Sequence, residues 1–423
     1  MSRRSRRVLA VTLPVLCSLA ITASADASKV YVSSNAPVVP GGRSCAQPAF
    51  NSVQAAIGAA GAGGTVEMCP GTYTEQISII EPVKLTAVSG IGTAKLVMPA
   101  GAGDSTSACD TKEGLQQIDE ISICTSGSVS ITGIAVEAII PLETCAGGLN
   151  AIFVGGGGTL KANGVTVDGA STSLNAYKGC QHGIAIEVGA AAQKEIGHAA
   201  LKNVTVSGYE KNGPTVKYAG STLTVTGSTI TGEGPSPWIA QNGIEVAYGG
   251  QGTIKSSTVT ANECDVASCG AEGEQASGVL FYQAAPGSTV GRSSVNDNDL
   301  GVYYASGSAS VPASAEVTIL KDLLTSNRYE GIDLEEGKAS LNSDTINGSG
   351  RVGIDLYQYE GQLSASESTA SSMKISGQSE AAIKVESDKL AGDPPGKFVI
   401  TKSTETGNGS LLINDSNDFE VVF

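Results

Sequence analysis

The stretch that decides the fold runs from Tyr329 to Tyr359 and reads YEGIDLEEGKASLNSDTINGSGRVGIDLYQY. The tetrad GIDL at Gly331–Leu334 returns 22 residues later at Gly353–Leu356, and a second apolar pattern, Leu341–Ile346, lies between the two copies. Each unit is too short to bury a core alone, so it must stack on its neighbours. The period therefore predicts a solenoid.

The same pattern recurs along most of the chain. Small residues followed by aliphatic ones recur at Gly183–Ile184, Gly243–Ile244, Gly278–Val279, Gly301–Val302, Gly331–Ile332 and Gly353–Ile354, with degenerate copies at Gly213–Val216 and Ala382–Val385. Apolar positions alternate over four to six residues, which indicates strands, and a helical period occurs only near the start. The 423 residues include 54 glycines. Because one elongated solenoid can absorb this length, several domains are not required.

The first 25 residues have the pattern of a signal peptide. Four arginines between positions 3 and 7 precede an apolar run, Val8–Ala20, and Ala23-Ser24-Ala25 suits cleavage before Asp26. The run is short for a membrane span. Ser5–Leu9 also resembles a twin-arginine motif, so the Sec and twin-arginine routes both stay open. We therefore expect a secreted, extracellular protein.

Charge and cysteine content narrow the partners. Without the signal peptide the chain has 22 basic and 41 acidic side chains, a net charge of −19. This excludes nucleic acid and anionic membranes as favoured partners, and a polyuronate would need calcium or a local basic patch.

Eight cysteines remain, an even number that suits disulfides in an oxidising compartment. Proximity predicts the pairs Cys45–Cys69, Cys109–Cys124, Cys145–Cys180 and Cys264–Cys269; a zinc site is the alternative, but the spacings are irregular.

The N-terminal region predicts how the solenoid begins. Residues 26–49 form an extended lead-in with one strand, Lys29–Val32, and Phe50–Ile57 has apolar residues at helical spacing. A glycine-rich break and Gly64–Glu75 follow. We expect a short helix that caps the open end of the solenoid, because the terminal coil otherwise exposes its core and its strand edges. The repeats then fill residues 50–391, and residues 392–423 supply closing strands or a C-terminal cap.

This entry resembles that of secreted proteins of the pectin-lyase-like superfamily. There a helix of the form S-[IV]-Q-x-A-[IV] precedes G-[GD]-T-[IV]-x-[IV]-x-P-G-x-Y-x-E, and Phe50–Leu96 follows this pattern. The resemblance implies an all-β fold, a single-stranded right-handed parallel β-helix with a short N-terminal capping helix. Pectin methylesterases share the element Gly71, Tyr73 and Glu75, which forms a turn and does not by itself imply esterase chemistry.

Stacked coils place residues one repeat apart side by side. Strands of successive coils lie about 4.8 Å apart and their side chains alternate in and out, so Ile332 and Ile354 point inward. Asn262, Asn298 and Asn327 each follow the last apolar residue of a coil, and we expect them to stack as a turn ladder.

The outward positions form the candidate ligand-binding face. The predicted row runs through Ala185, Glu245, Leu280, Tyr303, Asp333, Asp355 and Lys384. Glu335 and Tyr357 lie beside its last part, and Arg328 and Arg351 enter the same coils. Tyrosines, acids and a few cations on one face suit sugar, because tyrosine offers a stacking surface and a hydroxyl together. Stacked Asp333 and Asp355 would repel, so one keeps its proton or both share calcium, as metal ligands. The alternative is a solvated face on which the nearby cations neutralise both acids.

Known catalytic motifs of the superfamily are absent, so the question of enzymatic activity stays open. The polygalacturonase, pectin methylesterase and mannuronan epimerase signatures do not occur, and Gln181–Ile184 matches only a fragment of one. The first hypothesis is a binding protein for extracellular or cell-wall polysaccharide, or for a surface protein. The second is a calcium-assisted polyuronate lyase with Arg328 or Arg351 as base and Lys384 as a further candidate, or else a pectinesterase or polygalacturonase-like hydrolase. A third is a structural spacer or adhesin.

Overall fold

The computed structural model describes residues 28–105, 109, 117–270, 273–305, 316–335, 337–358, 368–387, 396–416 and 419–423. The signal-peptide prediction for residues 1–25 lies outside these ranges. Among the described residues, no helix is long and apolar enough to cross a bilayer.

The described elements are short strands in close succession. The first third contains Lys29–Val32 (β1), the helix Val53–Ala60 (α1), Thr65–Met68 (β2), Gly71–Thr74 (β3), Ile77–Ile79 (β4), Lys84–Ala87 (β5), Ala94–Val97 (β6), Gln117–Cys124 (β7), Ser128–Thr132 (β8) and Ile134–Ile140 (β9). The middle contains Gly148–Gly155 (β10), Thr159–Asn163 (β11), Thr166–Thr172 (β12), the 3-10 turn Asn175–Tyr177, Ile184–Val188 (β13), His198–Lys202 (β14), Thr205–Tyr209 (β15), Asn212–Lys217 (β16), Thr222–Thr226 (β17), Thr229–Ser236 (β18), Asn242–Ala247 (β19), Gln251–Lys255 (β20) and Thr258–Cys264 (β21). The last part contains Ser277–Tyr282 (β22), Thr289–Gly291 (β23), Ser294–Asn296 (β24), Leu300–Ala305 (β25), Glu316–Leu320 (β26), Leu323–Thr325 (β27), Glu330–Glu335 (β28), Lys338–Asn342 (β29), Thr345–Asn347 (β30), Val352–Gln358 (β31), Ser368–Ser371 (β32), Lys374–Ser376 (β33), Ala381–Ser387 (β34), Lys397–Thr401 (β35), Thr404–Thr406 (β36), Ser410–Asn414 (β37) and Glu420–Val422 (β38).

These strands wind into three parallel sheets that run the length of the molecule. Sheet I has 14 strands in the order β1-β2-β5-β8-β11-β14-β17-β20-β23-β26-β29-β32-β35-β38. Sheet II has 12, β3-β6-β9-β12-β15-β18-β21-β24-β27-β30-β33-β36, and sheet III has 12, β4-β7-β10-β13-β16-β19-β22-β25-β28-β31-β34-β37. Each coil contributes one strand to each sheet, as the predicted right-handed parallel β-helix requires.

The interior is one continuous apolar core. Ile332 pairs with Ile354, both are fully buried, and Leu334 and Leu356 continue the next column. The predicted inward stacking is therefore confirmed. The four predicted disulfides are present as well, Cys45–Cys69, Cys109–Cys124, Cys145–Cys180 and Cys264–Cys269.

The predicted capping helix is present as α1. Val53, Ala56, Ile57 and Ala60 are buried at helical spacing. Its first turn is fixed by Glu75, whose carboxylate accepts the Val53 and Gln54 N–H groups at 2.6 and 3.1 Å. A carboxylate at a helix N-terminus satisfies free N–H groups and complements the helix dipole.

From β11 onward, the turns between sheets I and II are short and uniform. Each of these turns has two residues, and the first has a positive φ at Gly164, Asn203, Gly227, Ser256, Arg292, Lys321, Ser343, Ser372 and Lys402. The second residue often stacks through its side chain: the Ser293 N–H donates to Asp322 Oδ1 at 2.7 Å, and the Asp322 N–H donates to Asp344 Oδ1 at 2.8 Å. This Ser/Asp ladder was not predicted.

The predicted asparagine ladder follows sheet II. Asn298 Oδ1 accepts the Asn262 N–H at 3.1 Å and the Asn262 Nδ2 at 2.9 Å, and Asn327 Oδ1 accepts from Asn298 in the same way. The strands of sheets I and II are mostly joined by short turns. Longer connections enter or leave sheet III, among them residues 173–183, 189–197 and 265–276.

Candidate functional site: an acidic cleft on sheet III

The predicted outward row lies on the last third of sheet III. Tyr303 of β25 pairs with Asp333 of β28, Asp333 with Asp355 of β31, and Asp355 with Lys384 of β34. Beside this row, Glu335 pairs with Tyr357. The repeat therefore places these side chains on consecutive coils, about 4.8 Å apart.

Apart from Tyr303, these side chains line a cavity that we call the acidic cleft. Its volume is about 200 Å³, and it is lined by Gly273, Gln275, Glu330, Asp333, Glu335, Arg351, Asp355, Tyr357, Lys384 and Glu386. Asp333, Asp355 and Lys384 point away from the apolar interior of the β-helix. Even so, they are only 8%, 9% and 6% exposed. The solvated face considered as an alternative is therefore replaced by a partly enclosed site.

Burial and like charge act together on Asp333. Burial is the largest cause that raises the pKa of this carboxyl well above its usual range, and the neighbouring Glu335, Asp355, Glu330 and Glu386 raise it further. Like charges that share a low-dielectric site disfavour ionisation. Burial and like charge thus both favour the protonated form of Asp333.

Asp355 stands between acidic and basic neighbours. Burial and then Glu386 raise its pKa to about 7, although Lys384 and Arg351 act in the opposite direction. Its Oδ1 atom is buried and has no hydrogen-bond partner among the described residues. A buried carboxylate oxygen without a donor costs free energy, so this atom is poised to accept one from a ligand.

Both cations of the cleft are already engaged by carboxylates. Lys384 Nζ forms an ion pair with Glu386, and Arg351 Nε lies 3.0 Å from Glu380 Oε2. The Tyr303 hydroxyl donates to Glu335 Oε2 at 2.6 Å and so fixes that carboxylate beside the row.

Arg328, a predicted catalytic base, does not line the cleft. Its Nη2 lies 2.7 Å from Asp299 Oδ1 and its Nη1 3.2 Å from Asp265 Oδ1. The other oxygen of Asp299, Oδ2, accepts the N–H groups of Cys264 and Ala276, both at 3.0 Å. One carboxylate therefore ties both ends of the connection between β21 and β22, and Arg328 holds that carboxylate. This connection carries Gly273 and Gln275, so Arg328 acts on one wall of the cleft from outside it.

Sequence reasoning did not identify Gly273, Gln275 or Glu330 as cleft residues, and it misplaced one residue of the outward row. Glu330 directly precedes the GIDL tetrad and turns into the cleft, while Gln275 comes from a different coil, which no local pattern shows. Ala185 was expected in the outward row, but Glu187 occupies that position, because it pairs with Thr215 and Thr215 with Glu245. The Gly183–Ile184 pair is thus two residues out of step with Gly243–Ile244.

The described residues, those of the cleft included, contain no ready-made metal centre. Among the described residues, no group of three or more His, Cys, Asp or Glu side chains is placed to hold a metal ion. Calcium at Asp333 and Asp355 remains a prediction, and these two residues would need further oxygen ligands from sugar or water. His182 is buried, with Nε2 3.4 Å from Glu210 Oε1, away from the cleft lining.

Comparisons with known proteins agree with this architecture. The profile of the right handed beta helix region matches residues 150–370, just over half of the chain. A search of curated proteins finds no significant match. Among solved structures, a variant of the catalytic domain of a GH87 alpha-1,3-glucanase in complex with nigerose has a TM-score of 0.60 and 12% identity, with 88% of this chain and 66% of that domain covered.

A second variant of that catalytic domain, in complex with tetrasaccharides, has a TM-score of 0.62 and 12% identity, with 94% of this chain and 68% of that domain covered. The chain thus spans about two thirds of these domains. At this identity the likeness concerns the fold alone. Together with the three-sheet coil, these matches show that the chain belongs to the right-handed parallel β-helix proteins of the pectin-lyase-like superfamily.

Proposed function

We propose that the acidic cleft binds a saccharide chain of an extracellular or cell-wall polysaccharide. The observation that carries this proposal is the buried Asp333–Asp355 pair, which lines the same cavity as Tyr357. Carboxylates accept hydrogen bonds from sugar hydroxyls, and a tyrosine ring stacks on a sugar face. The solved structures of the same fold that bind nigerose and tetrasaccharides support a carbohydrate ligand in general terms.

A glycan array followed by titration calorimetry on the mature chain tests the proposal. We expect binding that weakens about tenfold in Tyr357→Ala and in Asp355→Asn, because each loses a direct contact with the sugar. Asp168→Asn is the matched control, since it removes one exposed carboxylate from sheet II. Binding to cells without binding to any glycan would favour a surface-protein partner or an adhesin instead.

Hydrolysis of a glycosidic bond is the second candidate function. Asp333 and Asp355 lie at the same register on adjacent coils, whose strands are about 4.8 Å apart. Retaining glycosidases hold their two carboxyl groups about 5–5.5 Å apart, one protonated and one ionised. The raised pKa values of both groups allow one of them to keep a proton near neutral pH. Release of reducing ends that disappears in both Asp333→Asn and Asp355→Asn is the expected signature.

A lyase assay distinguishes the remaining enzymatic hypothesis. Elimination on a polyuronate produces an unsaturated product that absorbs in the ultraviolet. Arg351 lines the cleft and is the base candidate that the geometry allows, whereas Arg328 is held by Asp299. Absorbance that Arg351→Ala abolishes would replace hydrolysis by elimination.

Secretion completes the proposal. Four disulfides form and persist in an oxidising compartment, which is outside the cytosol in most cells. We expect mass spectrometry of the exported protein to find a mature N-terminus at Asp26. An intact basic leader on the exported protein would contradict the signal-peptide prediction.

A further inference from the structure

The acidic cleft has more carboxyl groups than the cations beside it can balance. Among the described residues, five acidic side chains line it, Glu330, Asp333, Glu335, Asp355 and Glu386, against Arg351 and Lys384. Lys384 is paired with Glu386, and Arg351 is paired with Glu380 at the rim. The excess negative charge is therefore concentrated around Asp333 and Asp355.

The environment of Asp333 shows what the cleft is missing. Each of the charged groups that shift its ionisation is acidic, namely Glu335, Asp355, Glu330 and Glu386. On the next coil, the buried Oδ1 of Asp355 has no donor among the described residues. A cation that also donates hydrogen bonds would relieve both conditions at once.

We propose that the saccharide held in the acidic cleft carries protonated amino groups, as in a polymer of glucosamine, and that an ammonium group lies between Asp333 and Asp355. This rests on the proposed function and adds the class of sugar. An ammonium group has three N–H donors and no acceptor, so it can serve both carboxylates. The carboxylate of a uronate would instead meet the acidic walls and be repelled. The cleft thus disfavours polyuronates as ligands. The composition of the chain had allowed polyuronate binding if calcium took part.

Proton release is the thermodynamic mark of this arrangement. Free Asp333 and Asp355 are held partly protonated by burial and by their acidic neighbours. An ammonium group favours their ionised forms, so its binding expels protons. Affinity for the amino sugar therefore rises with pH above about 5, until the sugar amine itself begins to lose its proton.

The test compares three oligosaccharides of equal length: glucosamine, N-acetylglucosamine and galacturonate oligomers. Calorimetry is run in two buffers that differ in ionisation enthalpy, so that released protons are counted directly. We expect the glucosamine oligomer to bind about tenfold more tightly than the acetylated one, with net proton release. Asp355→Asn should remove this preference, weakening the binding of the glucosamine oligomer about tenfold more than that of the acetylated oligomer. Asp168→Asn removes one negative charge, as Asp355→Asn does, and it should alter neither the preference nor the binding of the acetylated oligomer.

The outcomes separate the two proposals. If the acetylated or the galacturonate oligomer binds as tightly as the amino form, the amino-sugar inference is overturned and saccharide binding stands. Galacturonate that binds only with calcium, and loses binding in Asp333→Asn, would overturn it in favour of a shared metal. Absence of binding to all three oligomers would overturn the saccharide proposal itself. Asp355→Asn is isosteric, and its melting curve shows whether the fold is kept.

Discussion

Asn298 in the turn ladder and Asp355 in the acidic cleft occupy similar places and behave in opposite ways. Both are buried, and both have a like residue one coil away. Asn298 Oδ1 accepts two hydrogen bonds from Asn262, and its Nδ2 donates to Asn327. Asp355 Oδ1 finds no partner among the described residues. An amide both donates and accepts, so copies can stack, whereas carboxylates only accept and repel one another.

The Ser/Asp ladder shows that stacked carboxylates can still be structural. Asp322 Oδ1 and Asp344 Oδ1 each accept a backbone N–H from the preceding coil, from Ser293 and Asp322 respectively. The backbone supplies the donor that a neighbouring carboxylate cannot. What distinguishes the cleft is therefore the shortage of donors around its acids, and we interpret that shortage as the mark of a binding site.

The largest expected effect is the pH dependence of stability. Burial raises the pKa of Asp322, Asp344 and Asp355 to about 7 in the folded chain, and that of Glu120 to about 9. As pH rises above about 4, the unfolded chain loses these protons while the folded chain keeps them. Stability is thus complete at low pH and falls as pH rises through 7, by up to about 1.4 kcal/mol per pH unit for each carboxyl. Melting temperature should increase from pH 8 to pH 5; a flat or opposite trend would contradict the pKa directions.

The next largest effect is expected from Asp299. Asp299→Ala removes the acceptor for both ends of the connection between β21 and β22 and leaves Arg328 without its buried partner. We expect a loss of about 3–5 kcal/mol in the free energy of unfolding. Urea unfolding measures it, and hydrogen exchange at the Cys264 and Ala276 amides should speed up. Unchanged exchange there would show that the clamp does not hold the wall of the cleft.

Asn298→Asp would place a buried carboxylate without enough hydrogen-bond donors in the asparagine ladder, as in the acidic cleft. The carboxylate cannot donate to Asn327 Oδ1, and it must ionise in a fully buried position. We expect a loss of about 2 kcal/mol near pH 8, part of which returns at pH 5 when the side chain is protonated. Saccharide affinity should stay unchanged; a parallel loss of affinity would mean that the ladder and the cleft are coupled.

Asp355→Asn makes the opposite change, an amide in place of a carboxylate in the cleft, and we expect it to have the smallest effect on the free energy of unfolding. It removes a repelling charge and supplies donors, so we expect a gain of about 1 kcal/mol at pH 7, together with weaker saccharide binding. Chemical denaturation at pH 7 measures the gain. A loss of stability would show that Asp355 contributes to the fold as the ladder residues do.

The sequence predicted the strands, the coil period, the inward columns and the Asp333–Asp355 neighbourhood, because a period near 22 residues sets both burial and register. It predicted the disulfides because each pair lies close in the chain. It did not predict the role of Arg328, whose partner Asp299 belongs to the preceding coil. The sequence also did not predict the two-residue shift of register at Gly183. Counting positions from a glycine assumes that every coil turns at the same position.

By itself, the sequence determined that this chain winds into a rod and which side chains face outward, because alternation and repeat length are local properties. Only the tertiary structure decided that the outward acids are enclosed, that Gln275 and Glu330 join them, and that Lys384 and Arg351 are already paired with Glu386 and Glu380. Enclosure and pairing depend on connections between distant coils, and these connections set the local dielectric and the balance of charge on which the chemistry of the cleft depends.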